Sequence, residues 1–415
     1  MDTPAGGARK RGKLLDWLDR RFPVRALIDS QLTGYYAPKN LNAWYYFGVM
    51  ALVLLATQIL SGIFLAMHYK PGVETAFDSI ERFMREVKWG WLIRYAHSSG
   101  ASLFFVVIYL HMFRALLYGS YQAPRELVWV IGMLVYLTLM AEAFMGYVLP
   151  WGNMSYWGAQ VIINLFGTLP AIGPDLVEWI RGDYGLGDAT LSRFFSLHVI
   201  AVPLALILLV TLHIVALHTT GSNNPDGIEI DENQDGRGRP VDGIPFHPYY
   251  TVKDVVSVGV FLLVFATVLF FVPAFGGLFL EPDNFIPANA SSTPEHIAPA
   301  WYFAPYYAIL RAVPDQRLGA LLMVLAVLSF LFLPWLDRST VRSMRYKGWL
   351  SRFALGTFAL SFCALLFIGL QPATPVLVVL ARVFTFSYFA FFWLMPIYSR
   401  IDRAQMPPRR VSYQP

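Results

Sequence analysis

YAHSSGASLFFVVIYLHMFRALLYG, residues Tyr95–Gly119, is an apolar run with His97 and His111 fourteen residues apart near its two ends. A second run, FFSLHVIAVPLALILLVTLHIVALHTT (Phe194–Thr220), carries His198 and His213 fifteen apart. On a helix rising about 1.5 Å per residue, either spacing separates the imidazoles by roughly 21–22 Å. That distance fits inside a hydrocarbon core of about 30 Å. Two such helices side by side present two facing pairs, one near each membrane surface. Imidazole is a usual axial ligand of haem iron. The plainer alternative is four histidines that cap or hydrogen-bond within a bundle. Ionisable groups at membrane depth lean functional, and two matched pairs favour ligation.

The rest of the chain agrees with a membrane setting. It is 56% hydrophobic and 14% charged, which excludes an ordinary soluble domain. Apolar runs at 43–68, 95–117, 127–149, 195–219, 252–274, 318–336, 349–370 and 375–398 predict eight transmembrane helices. The expected fold is an all-α membrane protein, with an N-terminal four-helix haem bundle followed by C-terminal helices. The predicted divisions are a cytoplasmic segment 1–42, the bundle 43–220 and a loop 221–251. A C-terminal region 252–400, with an outer loop at 275–317, and a tail 401–415 complete the chain. A segment at 164–182 is expected to lie amphipathically along the outer membrane plane, as a short hairpin.

Basic residues orient the helices. Eight Lys and Arg precede Ala43, five lie in 338–352 and four follow from Arg400. The alternate loops carry fewer, apart from five between Lys70 and Arg94. Both termini are therefore expected to be cytoplasmic. The basic start (Arg9, Lys10, Arg11, Lys13, Arg20, Arg21) reads as an orientation signal and anionic-lipid contact, not as a nucleic-acid site. No cleavable signal pattern is evident before the first span. With one cysteine, Cys363, the chain cannot form an internal disulfide, ligate an iron–sulfur cluster or attach haem by thioethers. Any haem must be held without covalent bonds.

With the N-terminus inside, the second and fourth spans run in the same direction. The pairing is then His97 with His198 at the outer level and His111 with His213 at the inner level. Gly48 and Gly62, and likewise Gly132 and Gly146, repeat the fourteen-residue spacing on the flanking spans. Glycine there lets a flat porphyrin approach the backbone; ordinary small-residue packing is the alternative. Arg94, Arg114 and Arg193 fall near membrane boundaries, where guanidinium groups can pair with haem propionates or snorkel to headgroups. The fifteen-residue gap overshoots one helical face by about 60°. A wide turn near Pro203 is expected to absorb the extra residue.

These residues carry a resemblance. The chain resembles cytochrome b of the respiratory and photosynthetic cytochrome bc complexes from about Tyr35 to Arg400. The matching stretches include Pro38-Lys39-Asn40-Leu41-Asn42, Arg94-Tyr95-Ala96-His97 and Gly146-Tyr147-Val148-Leu149-Pro150-Trp151-Gly152. They continue with Met154-Ser155-Tyr156-Trp157-Gly158, Arg193-Phe194-Phe195-Ser196-Leu197-His198, His247-Pro248-Tyr249-Tyr250 with Lys253-Asp254, and Pro299-Ala300-Trp301-Tyr302. The continuous length is similar to bacterial or mitochondrial members, and the fifteen-residue gap to the shorter plastoquinol-type relative. The resemblance implies a quinol–cytochrome c oxidoreductase subunit of the bacterial inner membrane. It would bind two b-type haems and quinone and work by a Q-cycle. A Rieske-type iron–sulfur protein and a membrane-anchored c-type cytochrome are the implied partners, in a homodimeric complex.

Two quinone sites follow from the resemblance. Near the outer surface, Tyr147, Pro299, Trp301, Tyr302 and Tyr307 resemble the wall of a quinol pocket, with Gly158 and Ile162 beside it. The family's Pro-Glu-Trp-Tyr motif carries an acid where this chain has Ala300, and a methyl group relays no proton. Glu142, an acid inside the third span, is the expected substitute acceptor; Glu295 and His296 are its rivals, and a structural acid is the alternative. Near the inner surface, His218 and Asp254 are the implied quinone ligands, with Lys253 and Asn42 nearby; an interfacial His and a capping Asp are the alternative. Asp231, Asn233, Asp235, Gly236 and Asp242 mimic a calcium loop, but Arg237, Arg239 and Gly238 break the pattern and a solvated loop is expected. A dihaem anchor of a dehydrogenase or hydrogenase would need the four histidines but no outer pocket. A transporter would need broken helices and polar residues at mid-membrane.

Overall fold

The computed structural model describes residues 13–412; Arg9, Lys10 and Arg11 lie outside the described residues. Among the described residues, seven helices are long and apolar enough to cross a membrane. In chain order with one shorter apolar helix they are α1 (Ala43–Ala66), α2 (Gly90–Tyr118), α3 (Glu126–Val148), α4 (Asp188–Thr220), α5 (Phe246–Phe271), α6 (Gln316–Leu331), α7 (Trp349–Gly369) and α8 (Pro375–Trp393). The sixth expected span is thus interrupted. α6 ends at Leu331, and a separate short helix, Leu333–Leu336, follows with Pro334 in its first turn. Proline has no amide proton to continue the ladder. Sixteen residues make a helix of about 24 Å, short of a full crossing.

α1 packs on α2, and α3 on α4. α5 lies against α1 and α2, while α6 touches α3. α7 and α8 pack on each other and on a short helix, Ala304–Ala312, that the 275–317 loop inserts among them. This insertion is buried along most of its length. Its Tyr306 hydroxyl lies 2.9 Å from that of Tyr136, and Tyr136 lies 3.3 Å from Tyr109. Three buried hydroxyls satisfy one another where water is excluded. Large apolar side chains such as Leu263, Phe271, Phe353 and Phe386 face outward, a disposition that suits lipid and not water.

The fourth span bears out the expected wide turn. A π-helical turn, Leu197–Ala201, joins the helix Asp188–Ser196 to Val202–Thr220, and the Val202 amide reaches back to the Leu197 carbonyl. A five-residue step accommodates one extra residue without changing the face that follows. A helical hairpin also stands where one was expected. It comprises helices Asn153–Phe166 and Gly173–Arg181, so it begins earlier than 164.

One face gathers both ends of the described chain. Tyr36–Pro38 pairs antiparallel with Gly243–Pro245. Lys39 Nζ lies 2.7 Å from Asp242, and Arg410 lies 2.9 Å from the same carboxylate. Asp226 accepts from Asn40, Arg345, Tyr346 and Ser412. Glu229 takes both Arg125 and Arg342. The calcium-like pattern is spent on these contacts: Asp242 holds cations, and Asp235 accepts the Arg237 and Arg239 amides. The opposite face carries the 67–89, 149–187 and 272–315 connections.

Candidate functional site

The four histidines meet as two pairs. His97 of α2 and His198 of α4 have ring centroids 6.1 Å apart; His111 and His213 are 6.4 Å apart. Imidazole–metal bonds of about 2.0–2.1 Å on each side, plus about 1.1 Å from nitrogen to ring centre, require roughly 6.3 Å. Each gap therefore admits one iron. Among the described residues no group of three or more His, Cys, Asp or Glu side chains could hold a bare metal ion. A porphyrin that supplies the other ligands fits such two-imidazole sites.

The glycines face the histidines. A Cβ on Gly62 would come 3.1 Å from His97 Cε1, on Gly132 3.0 Å from His213 Cε1, and on Gly48 3.6 Å from His111 Cε1; at Gly146 it would overlap the His198 ring. Gly146 is therefore required by the imidazole itself, and at Gly62 and Gly132 the ring would have to give way by a few tenths of an ångström, before any porphyrin is considered. The Nδ1 atoms are oriented from outside. Ser61 Oγ lies 3.0 Å from His97 Nδ1, and the Glu142 carbonyl 3.0 Å from His198 Nδ1. Such outer partners fix which nitrogen faces the metal.

Around the His97–His198 pair lies a cavity of about 210 Å³ whose wall includes Arg94, Glu142, Gly146, Tyr147, Ala300 and Tyr302. A second, apolar cavity of about 1350 Å³ is lined by Ile162, Arg193, Pro299, Tyr306 and Tyr307 among others. The Pro299–Tyr302 segment thus contributes to both. Tyr302 stacks on Phe105 at 4.0 Å, and its carbonyl accepts from Tyr109 at 2.5 Å. Trp301 is buried with its indole nitrogen unpartnered. Tyr307 donates to the Ile297 carbonyl at 3.2 Å.

Three candidates have other attachments. Arg193 binds the Trp179 carbonyl and lines the second cavity, so it braces the helix Gly173–Arg181 and does not line the cavity around His97 and His198. Glu142 Oε1 lies 3.0 Å from His198 Nδ1, while Oε2 is buried without a partner. Its carboxylate is engaged with a candidate haem ligand, not with the outer loop. Asn42 caps the turn that opens α1 and accepts from Tyr118 at 2.5 Å, a structural attachment.

At the other end, the Arg114 Nε is buried without a partner, so it could take an anionic group such as a carboxylate. His218 stacks on Tyr35 at 4.3 Å, and its Nδ1 is also an orphan. Asp254 Oδ1 is buried and unpartnered. Tyr45 lies within electrostatic reach of Asp254, Tyr35 and Arg114. Lys253 rests its ammonium over the Tyr249 ring at 4.4 Å. Tyr35 and Tyr45 were not singled out from sequence, because aromatics at span ends ordinarily read as interfacial anchors.

The motif after α3 has a visible purpose. Trp151 adopts a left-handed conformation, φ 54°, rare for a bulky residue. Its carbonyl accepts from Ala288 at 3.0 Å, Asn153 N donates to Ile286 at 2.9 Å, and Ser155 N to Asn284 Oδ1 at 2.9 Å. A Cβ on Gly152 would collide with the Asn284 backbone. Pro150-Trp151-Gly152 and Ser155 therefore clamp the 281–288 loop onto the end of α3. That loop carries Glu281, whose carboxylate accepts from Tyr147 at 3.1 Å. Nothing in its sequence context distinguishes Glu281 from a solvent-facing acid.

Comparison with known proteins agrees with this geometry. Residues 32–221 match the family model described as Cytochrome b/b6/petB, and residues 287–389 the one described as Cytochrome b(C-terminal)/b6/petD. The chain is 57% identical to a cytochrome b of Allochromatium vinosum over 406 residues, covering 96% of this chain and 98% of that one. It is 48% identical to a cytochrome b of Rhodospirillum rubrum over 414 residues, 99% and 98% of the two chains. A chain from a solved structure titled "Hyperthermophilic respiratory Complex III" superposes with a TM-score of 0.86 at 39% identity, covering 93% of this chain and 99% of that one. Paired imidazoles, matched glycines and these likenesses together show that the chain belongs to the cytochrome b family, whose members bind b-type haem, and is a multi-pass membrane subunit of a cytochrome bc complex.

Proposed function

We propose that the chain is the catalytic membrane subunit of a quinol–cytochrome c oxidoreductase that works by a Q-cycle, in a bacterial inner membrane with both termini cytoplasmic. The carrying observation is the pair of imidazole gaps, each the width of one iron, stacked between α2 and α4. His97 and His198 would hold the outer haem, and His111 and His213 the inner one, with Arg94 and Arg114 as propionate partners. Bound there, the haems supply one-electron transfer between the two membrane surfaces.

The protein's own residues do the rest. Tyr147 and Tyr302 on the cavity beside the His97–His198 pair, and Pro299 and Tyr307 on the larger apolar cavity, would shape an outer quinol site on the two sides of the Pro299–Tyr302 segment, with Trp301 buried within that segment. Glu142 orients and polarises His198. At the inner face, His218 and Asp254 present two unpartnered proton-carrying atoms, stacked and screened by Tyr35 and Tyr45, as a site that protonates reduced quinone requires. A Rieske-type iron–sulfur protein and a membrane-anchored c-type cytochrome are the proposed partners, in a dimeric complex.

Reduced-minus-oxidised optical spectra of the purified complex test this reading, with two b-type haems expected. His198→Leu and His213→Leu should each abolish one haem and electron transfer to cytochrome c. Inhibition at two separate quinone pockets separates this enzyme from a dihaem anchor, which has one.

A further inference from the structure

Ala300 leaves the outer cavity without the loop carboxylate that its place in the segment would otherwise supply. The residues nearest that gap are informative. Tyr147 stands on the cavity wall, and Phe279, Leu280 and Asn284 of the loop stand there too. Glu281 sits among these three, partly buried, with its carboxylate 3.1 Å from the Tyr147 hydroxyl. Tyr147 therefore links the cavity wall to a carboxylate that is not itself on that wall. The other acids are placed differently. Glu142 faces His198, Glu295 is exposed, and His296 is tied to the Leu370 carbonyl at 3.2 Å.

The geometry points to Tyr147 and Glu281 as a proton relay out of the outer cavity, in place of the acid absent at Ala300. This rests on the proposal that the cavity oxidises quinol. The quinol O–H bond breaks as its proton passes to the Tyr147 oxygen, and the Tyr147 proton passes to the Glu281 carboxylate. The resulting carboxylic acid then gives its proton to water beyond the loop. Each quinol loses two electrons and two protons. One electron and one proton would go to the proposed iron–sulfur partner, the second electron to a haem held by His97 and His198, and the second proton through the relay.

The surroundings suit the task. The groups facing Glu281 are Tyr147 from α3, Tyr302 from the turn Trp301–Phe303, and Asp283 from its own loop. Burial pushes the Glu281 carboxyl up to about 7; hydrogen bonds from its own backbone and from Tyr147 oppose the rise, and Asp283 adds to it. A proton acceptor works best when its affinity matches the working pH. The clamp formed by Trp151, Asn153 and Ser155 keeps the carboxylate in reach.

The assembled complex, purified from membranes, tests the relay with short-chain ubiquinol and menaquinol as donors and cytochrome c as acceptor. Glu281→Gln is expected to keep both b haems but to lower kcat by about tenfold or more, with little change in KM. It should also flatten the rise of rate with pH around 7. Adding Ala300→Glu to Glu281→Gln is expected to restore most of the rate. A Glu281→Gln rate within twofold of the parent, with the same pH profile, overturns the relay. So does a loss that Ala300→Glu does not recover. Should Glu281→Gln fail to retain haem, Tyr147→Phe decides: a tenfold slowing supports the relay and an unchanged rate sinks it. A parent complex that carries both haems yet oxidises neither quinol overturns the functional reading itself, and the relay with it.

Discussion

Glu142 offers His198 two oxygens, its own carbonyl and its carboxylate, each 3.0 Å from Nδ1. With iron bound as proposed, the carbonyl would hold the ring in place and the carboxylate would make the imidazole a stronger donor to the metal, favouring its oxidised state. Glu142→Gln should therefore raise the midpoint potential of the outer haem, by about 60 mV if the contact contributes 1.4 kcal/mol, while both haems remain. An unchanged potential in a redox titration removes this role. The acid was legible from sequence as an oddity in an apolar span, but its partner was not. The Gly132–Gly146 spacing marks a face of α3 on which Glu142 also lies, one turn before Gly146, but its contact with His198 depends on how α3 packs against α4. The same holds for Glu281, which gains its significance from the clamp that sets it against Tyr147.

At the scale of elements, the π-helical turn of α4 carries a sharp consequence. Removing one residue from it, as in deletion of the outward-facing Ile200, converts the step to ordinary α-helix and makes the His198–His213 spacing fourteen. Both imidazoles should stay on one face, so the variant is expected to bind two haems; loss of the outer haem from its spectrum would refute this. Inserting a further residue there should displace His198 by about 100° and abolish the outer haem. This turn was readable in advance from the overshoot of fifteen residues and from Pro203. The break after Leu331 was missed, because Phe332 to Leu336 is as apolar as the helix before it and that continuity masked the helix-breaking Pro334. Within the second half, Lys347 and Asp337 form an ion pair that is almost wholly buried, shared with Tyr121. Lys347→Met leaves that carboxylate uncompensated and should cost about 3–5 kcal/mol of stability, measured as early loss of haem absorbance on heating.

For the whole molecule, the face that joins both ends of the described residues is an acid-sensitive fastening. Burial raises the Asp242 carboxyl, but Arg410, Lys39 and the Val411 amide outweigh it and hold it down to about 2. Asp226 and Glu229 are likewise held below their ordinary values against the effect of burial, by Ser412, Tyr346 and Arg345 and by Arg125 and Arg342 respectively. A depressed carboxyl stabilises the fold above its unfolded value and loses that contribution as pH falls toward the folded one. Thermal stability of the purified complex should therefore be flat above pH 5 and decline from about pH 4 toward pH 2. Arg410→Ala should start the decline from a lower plateau. Eight apolar runs, the histidine spacing and the departure at Ala300 are properties of the chain read in order, since hydrophobic length and helical pitch act locally. Which glycine meets which imidazole, where Glu142 and Glu281 turn, and how residues near 40, 230 and 410 close one face were decided only by tertiary packing. Those contacts join residues far apart in sequence, and burial in a medium without water made each polar group find its partner there.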